Sequence, residues 1–312
     1  MVYMLTKPQK TRLHLVLESL SRRGEFSNDE QSTLKRLSAG YEGELNFYTI
    51  LKENLKVKPI QLFDLQIHVN GSECQIDALL IFENELIVCE VKNYQGDFII
   101  NNGDWFTLTN QEIRNPLHQL SRTKVLLQQY LKKHNLSFTV KEFIIFVHPE
   151  FHLYQAPLNT PIIFPPQINR FMNQLKNIPC KLHNKHKNLE KLLTTNHQSH
   201  SSHSILPDYN YTSLRKGIIC KKCNGDMEEV GRKYSICLQC SSREEYDQAI
   251  KRNIKDFSCL FPDKKVNVKE VSDWLDHKTS SFRIRTHLSR KFTLVNSGRS
   301  SYYVFKDEEN EE

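Results

Sequence analysis

The stretch Gln75-Ile-Asp-Ala-Leu-Leu-Ile-Phe82, a short polar break, and Leu86-Ile-Val-Cys-Glu-Val-Lys92 decides the fold of this chain. Both runs have strand length and carry apolar, partly β-branched side chains between polar bounds. Asn84-Glu85 reads as a two-residue hairpin loop. On that register Glu83 pairs with Leu86, Leu79 lies opposite Glu90, and Asp77 lies opposite Lys92. Side chains two apart share a strand face, so Glu90 and Lys92 project together. Asp77 is then diagonal to Glu90 at roughly 7–8 Å, within reach of one shared ion.

Two carboxylates and an ammonium at the end of an apolar hairpin are costly unless they have a use. Carboxylates near a low-dielectric core face a desolvation penalty that a bound divalent cation offsets. Magnesium takes one or two carboxylates, keeps several waters and leaves room for phosphate oxygens. A neighbouring lysine can orient a water or stabilise charge developing on phosphorus. The plainer alternative is an exposed Glu90–Lys92 ion pair at a strand end, with Asp77 serving the turn.

Beyond the hairpin, Glu42 to Leu55 has apolar residues at Leu45, Tyr48, Leu51 and Leu55, a helical spacing that follows Gly40. Glu44 falls in the first turn, where an acid complements the helix dipole. A second helix is expected over Pro116 to Leu131, entered at proline and bearing Gln119. Lys141 to His148 reads as a further strand.

These residues carry a resemblance. Asp77 with Glu90-Val-Lys92 resembles the PD-(D/E)xK nuclease core. Gly40-Tyr-Glu-Gly-Glu44, Gln75-Ile-Asp77 and Cys89-Glu-Val-Lys-Asn-Tyr-Gln-Gly96 together resemble the nuclease-related domain (NERD). The likeness runs from about Leu37 to Lys176. It implies an α/β fold, a restriction-endonuclease-like mixed sheet flanked by helices, and Mg²⁺-dependent hydrolysis of nucleic-acid phosphodiesters. It makes Asp77 and Glu90 the Mg²⁺ ligands, Lys92 the catalytic lysine, and Glu44 the acid on the helix preceding the sheet. Ile76 stands where the superfamily name has proline. Position 123 is threonine, so the glutamine–tyrosine pair of related exonucleases is absent and Gln119 is at most a supporting contact.

Cys220-x2-Cys223 and Cys237-x2-Cys240 are separated by thirteen residues, a four-thiolate zinc-ribbon spacing. Gly225 and Gly231 suit the tight turns of the knuckles. Disulfides are the competing reading, and two close pairs in a chain without secretion features favour metal. The remaining cysteines at 74, 89, 180 and 259 are scattered.

Helical patterns over Glu244–Phe257, Val268–His277 and Ser280–Arg290 precede a hairpin of Phe292–Val295 and Tyr302–Phe305. This order resembles a winged helix-turn-helix, whose third helix enters the major groove while the wing approaches the backbone. From His277 to Lys306 the sequence has seven Lys or Arg and no acid. Arg283, Arg285, His287, Arg290, Lys291 and, on the wing, Arg299 are the candidate contacts to double-stranded DNA. A solvated basic face on a protein-interaction domain is the alternative.

The formal charge of +7 follows this division, because residues 213–306 hold 20 basic and 11 acidic side chains. A polyanionic partner is expected. The domains read as an N-terminal helical extension (1–36), the nuclease-like domain (37–193), a flexible linker (194–212), the ribbon (213–243), the winged helix (244–306) and an acidic tail (307–312). Linker histidines, with His183 and His186 upstream, are too loosely placed for a defined metal site. No apolar run approaches the ~20 residues that span a bilayer, and Met1–Arg12 lacks a secretory core. A cytoplasmic protein, nucleoid-associated if bacterial, is the expectation. The function expected is Mg²⁺-dependent DNA cleavage delivered by the C-terminal modules, the alternative being an inactive DNA-binding regulator that keeps the nuclease fold as a scaffold.

Overall fold

The computed structural model describes residues 6–195, 197, 205–231, 233–296, 298 and 301–305. Two helices open the chain, α1 (Arg12–Arg23) and α2 (Asn28–Asn54). A reciprocal box starts α2: Glu30 accepts from Ser27 N at 2.8 Å while Ser27 Oγ accepts from Glu30 N at 3.2 Å. The chain divides into two compact units, and the boundary falls inside α2. Unit 1 comprises residues 1–10 and 35–202; unit 2 comprises 11–34 and 203–312.

Unit 1 is a mixed α/β body. Strands β1 (Ile60–Val69), β2 (Ser72–Ile81) and β3 (Glu85–Lys92) run antiparallel in order. Then come β4 (Gly96–Asn101), β5 (Asp104–Thr107), β6 (Glu112–Ile113), α3 (Pro116–Lys133), β7 (Thr139–Phe146), β8 (Phe151–Tyr154), β9 (Ile162–Ile163), α4 (Ile168–Lys176) and α5 (Asn184–Thr195). The main sheet has the order β1-β2-β3-β7-β9, with β3, β7 and β9 parallel, and β6-β5-β4-β8 forms a second sheet. Parallel strands need a crossover, which α3 supplies between β3 and β7.

Strands β2 and β3 are apolar on both faces because both faces are covered. Leu79, Ile81 and Val88 join one core with Leu120, Leu127 and Leu131 of α3. Ala78, Leu80, Ile87 and Cys89 join the other with Phe47 and Leu51 of α2 and Phe171 and Met172 of α4. Cys89 is fully buried, as a small core residue should be.

The β2–β3 register moves the expected two-residue loop by one position. Ile81 pairs with Leu86 and Ala78 with Cys89, and Phe82 N donates to Glu85 O at 2.9 Å, so the loop is Glu83-Asn84 and not Asn84-Glu85. The slip is two residues. An even slip leaves every side chain on its expected face, and brings Asp77 level with Glu90 instead of Lys92.

The helix expected from Glu42 begins fourteen residues earlier, because Gly40 and Gly43 lie within α2. Gly43 has a packing reason: a Cβ there would meet Asn93 Cβ at 2.6 Å. Glu44 is therefore mid-helix, where no capping role is available to it.

Unit 2 comprises α1, β10 (Met227–Val230), β11 (Tyr234–Cys237), β12 (Arg243–Glu245), α6 (Tyr246–Leu260), α7 (Val268–Trp274), α8 (Ser281–Lys291), β13 (Phe292–Val295) and β14 (Tyr302–Phe305). Strands β10-β11-β12 form one antiparallel sheet, and β13-β14 a hairpin that Val266 extends by a bridge to Tyr303. Asn267 and Ser280 cap α7 and α8 by accepting from Glu270 N and Arg283 N.

Two expected boundaries differ here. Residues 11–34 belong to unit 2 and not to a separate extension: Val16 and Leu20 of α1 share its core with Ile250 and Ile254 of α6. Arg23 is 1% exposed, donates to Arg215 O at 2.8 Å, pairs with Asp256 and lies 4.2 Å over the Trp274 ring. Burial, partly offset by Asp256, lowers its pKa to about 10. At the other end of the expected linker, Leu206, Tyr209 and Tyr211 pack on the same core, so the polar run stops before them. His186 is buried and bonds to Glu83 O at 2.9 Å, a core histidine. The acidic tail lies outside the described residues. None of the described helices is long and apolar enough to cross a membrane.

Candidate functional site

The β2–β3 ladder stops at Ala78–Cys89 and the strands part. Asp77 fills the gap: its Oδ2 accepts from Val91 N at 2.8 Å, satisfying a buried N–H that has lost its ladder partner. Beyond this point β3 continues beside β7 alone, to Lys92–Phe146. Glu90, 2% exposed, faces Asp77 across the gap. Its Oε1 accepts from Lys92 Nζ at 2.7 Å and from Gln119 Nε2, on α3, at 2.6 Å. Lys92 Nζ also reaches Gln119 Oε1 at 3.4 Å.

From the other side α2 delivers Glu44. The close approach at Gly43, with Asn93 Nδ2 donating to Ala39 O at 2.8 Å, holds α2 against the end of β3. A fourth acid, Asp64, stands on β1 at the one unpaired position between Phe63–Ala78 and Leu65–Ile76, opposite Asp77. It has φ 51°, a left-handed conformation rare inside a strand. Its carboxyl hydrogen-bonds with Glu44 and Gln75 and accepts from Gln9 N.

The electrostatics follow from crowding acids in a part-dry cleft. Burial, then Glu90 and Glu44, push the Asp77 carboxyl well above the usual range. Burial and Asp64 raise Glu44 to about 8. Burial pulls Lys92 down, but Glu90 and Asp77 outweigh it and hold the ammonium charged. Such a set suits a hard cation. Oδ1 of Asp77 and Oε2 of Glu90 accept no hydrogen bond among the described residues, leaving one oxygen on each carboxylate for a ligand. Two carboxylates are what Mg²⁺ commonly takes from a protein.

The sequence reading thus brought Asp77, Glu90, Lys92 and Glu44 to one place. Gln119 makes the supporting contact that the sequence allowed it, its amide donating to Glu90. The sequence reading missed Asp64, for which the one signal was an acid interrupting the apolar run Leu62-Phe63-Asp64-Leu65. His148 accepts from Glu150 N at 3.2 Å, a turn contact at the strand end.

In unit 2 the Sγ atoms of Cys220, Cys223, Cys237 and Cys240 all lie within 4.8 Å of one another, the one such donor cluster among the described residues. All four are free thiols, with Cys220–Cys240 at 3.8 Å and Cys223–Cys237 at 3.4 Å. A tetrahedral ion with bonds of about 2.3 Å needs sulfurs roughly 3.8 Å apart. The knuckles repeat one geometry. Lys222 N donates to Cys220 Sγ at 3.3 Å and Gln239 N to Cys237 Sγ at 3.4 Å. The left-handed turns fall on Asn224 (φ 59°) and Ser241 (φ 55°), correcting the assignment to Gly225 and Gly231. Gly231 serves the β10–β11 turn, and Gly225 makes room for Gln239.

The basic residues of α8 are placed unequally. Arg285 and Arg290 are exposed. Arg283 pairs with Glu229 and lies 4.2 Å over the Tyr246 ring. His287 is 5% exposed beside Phe292, which corrects its expected role as a direct DNA contact: the ring is part of the core. The side chain of Lys291, and Arg299 entirely, lie outside the described residues.

Residues 39–147, within unit 1, match the family model of the nuclease-related domain. No curated protein matches the chain. Among solved structures, that of Can2 from Sulfobacillus thermosulfidooxidans in complex with cyclic tetra-adenylate aligns with 53% of this chain at 15% identity and a TM-score of 0.31. The chain spans 51% of the length of that protein.

Proposed function

We propose that the protein is a metal-dependent nuclease, and that its nuclease-related domain hydrolyses phosphodiester bonds in DNA presented by unit 2. The observation that carries this is the meeting of Asp77, Glu90 and Lys92, with Gln119 and Glu44, where two strands part. A structural ion pair needs one acid; here several acids crowd one lysine and pay for it in raised proton affinity. The restriction-endonuclease-like reading of the main sheet fits this, because in it the paired acidic strands lie at the centre.

Asp77 and Glu90 would hold Mg²⁺ by their uncommitted oxygens. Bound there, the ion supplies Lewis-acid polarisation of the scissile phosphate and a more acidic water. The chain's own residues do the rest. Lys92, kept protonated by Glu90 and Asp77, stabilises charge developing on the phosphate oxygens. Glu44, raised to about 8 by burial and Asp64, is suited to accept the proton of the attacking water once it is ionised. Gln119 fixes the Glu90 carboxylate and the Lys92 ammonium relative to one another.

In unit 2 the thiolates are read as a structural Zn²⁺ ribbon, and α6, α7, α8 and the β13–β14 hairpin as a winged helix. The exposed Arg285 and Arg290 on α8 would meet the phosphate backbone of double-stranded DNA. Incubation with circular and linear, single- and double-stranded DNA, with Mg²⁺ and with EDTA, tests the assignment. Cleavage confined to the Mg²⁺ samples supports it. Binding to DNA without cleavage of any substrate would favour the inactive regulator.

A further inference from the structure

We propose that unit 2 holds a receptor for one unpaired nucleobase, in the hollow between α8 and the start of α6. This rests on the reading of unit 2 as a nucleic-acid-binding module and narrows what that module prefers. The hollow measures about 320 Å³ and is lined by Phe282, Thr286 and Arg290 of α8, facing Lys233, Tyr246 and Asp247.

Residues 282, 286 and 290 are four apart and form one stripe of the helix. Ile284 and Leu288 of the same helix are fully buried, so α8 has its core contacts without this stripe. Phe282 is nonetheless 77% exposed. A single exposed apolar side chain is ordinary; a phenyl ring lining a hollow flanked by cations and a carboxylate is a recognition surface. The floor is fixed, since the Arg283 guanidinium covers the Tyr246 ring and pairs with Glu229.

The mixed chemistry selects the ligand class. A simple anion would meet Asp247 and Glu245, both at the hollow. An apolar peptide would desolvate Lys233, Arg290 and Asp247 without pairing them. A nucleobase suits all of them: its π-face stacks on Phe282, its amino or imino edge donates to Asp247, Thr286 takes either role, and the flanking phosphates lie near Lys233 and Arg290. A base stacked inside a perfect duplex cannot enter, whereas a bulged or single-stranded base can.

The test compares a matched duplex with one carrying a single bulged 2-aminopurine, using the full-length protein in buffer without Mg²⁺ or chelator. The bulged duplex should bind about tenfold tighter, as one base–aromatic stack allows, and its fluorescence should fall on binding. Phe282→Ala should remove the preference and leave matched-duplex affinity unchanged, while Phe282→Tyr should retain it. Equal affinity for the two duplexes, or a preference that survives Phe282→Ala, overturns the proposal alone. Failure to bind either duplex overturns it together with the reading of unit 2.

Discussion

The side-chain amide of Gln119 donates to Oε1 of Glu90 at 2.6 Å, the same oxygen that accepts from the Lys92 ammonium at 2.7 Å. One carboxylate oxygen thereby fixes the lysine and the amide together. Gln119→Ala removes a bond to a charged acceptor and frees both partners to move. Cleavage should slow by about tenfold with a stability loss of about 1–3 kcal/mol, read from single-turnover rates and urea unfolding. An unchanged rate would reduce Gln119 to packing.

Gly43 and Gly40 lie one turn apart in α2 and should respond in opposite directions. A Cβ at 43 meets Asn93 at 2.6 Å, whereas one at 40 meets nothing within 4 Å. Gly43→Ala should cost about 1–3 kcal/mol and impair cleavage by pushing Glu44 away. Gly40→Ala should add up to about 1 kcal/mol and leave cleavage alone. Paired thermal melts and rates check this.

The crowded acids set a pH dependence. Glu44 is raised from 4.5 to about 8, with Asp77 raised as well. A folded-state pKa above the unfolded value means the folded state holds the proton more tightly. That stability is complete below pH 4.5 and is lost as pH rises through about 8. Without divalent metal, Tm should therefore fall over this range. Added Mg²⁺ should raise Tm more at pH 8 than at pH 5, where protons compete for the same oxygens. Differential scanning fluorimetry across pH reads both effects.

How much of this was visible in the sequence depended on how local the cause was. The two cysteine pairs and the β2 and β3 runs are short-range features, and the structure has them. The turn between β2 and β3 misled because Glu85 can either close a loop or begin a strand; the neighbouring β7, pairing Glu85 with Thr139, decides it. Gly43 looks like a helix breaker until the approach of Asn93 is known. Asp64 needed the β1–β2 register that sets it opposite Asp77, and Arg23 needed Asp256 and Trp274, more than two hundred residues away in the chain. None of these partners leaves a periodic trace.

The thiolate cluster gives a separable prediction, since the chain has two tryptophans and only Trp274 lies in unit 2. In a Trp105→Phe background, stripping Zn²⁺ with a strong chelator should shift Trp274 emission to the red. Cys223→Ser should lose the single equivalent of zinc found by elemental analysis. A zinc-free wild type with unshifted emission would remove the metal from unit 2.

The most direct measurement is Mg²⁺-dependent DNA cleavage by the wild type, Asp77→Ala and Lys92→Ala, with DNA affinity measured in parallel. Both variants should lose cleavage by at least about 10²–10³-fold while holding DNA within a few-fold of wild type. Cleavage that persists in either variant, or that is indifferent to Mg²⁺, contradicts the account.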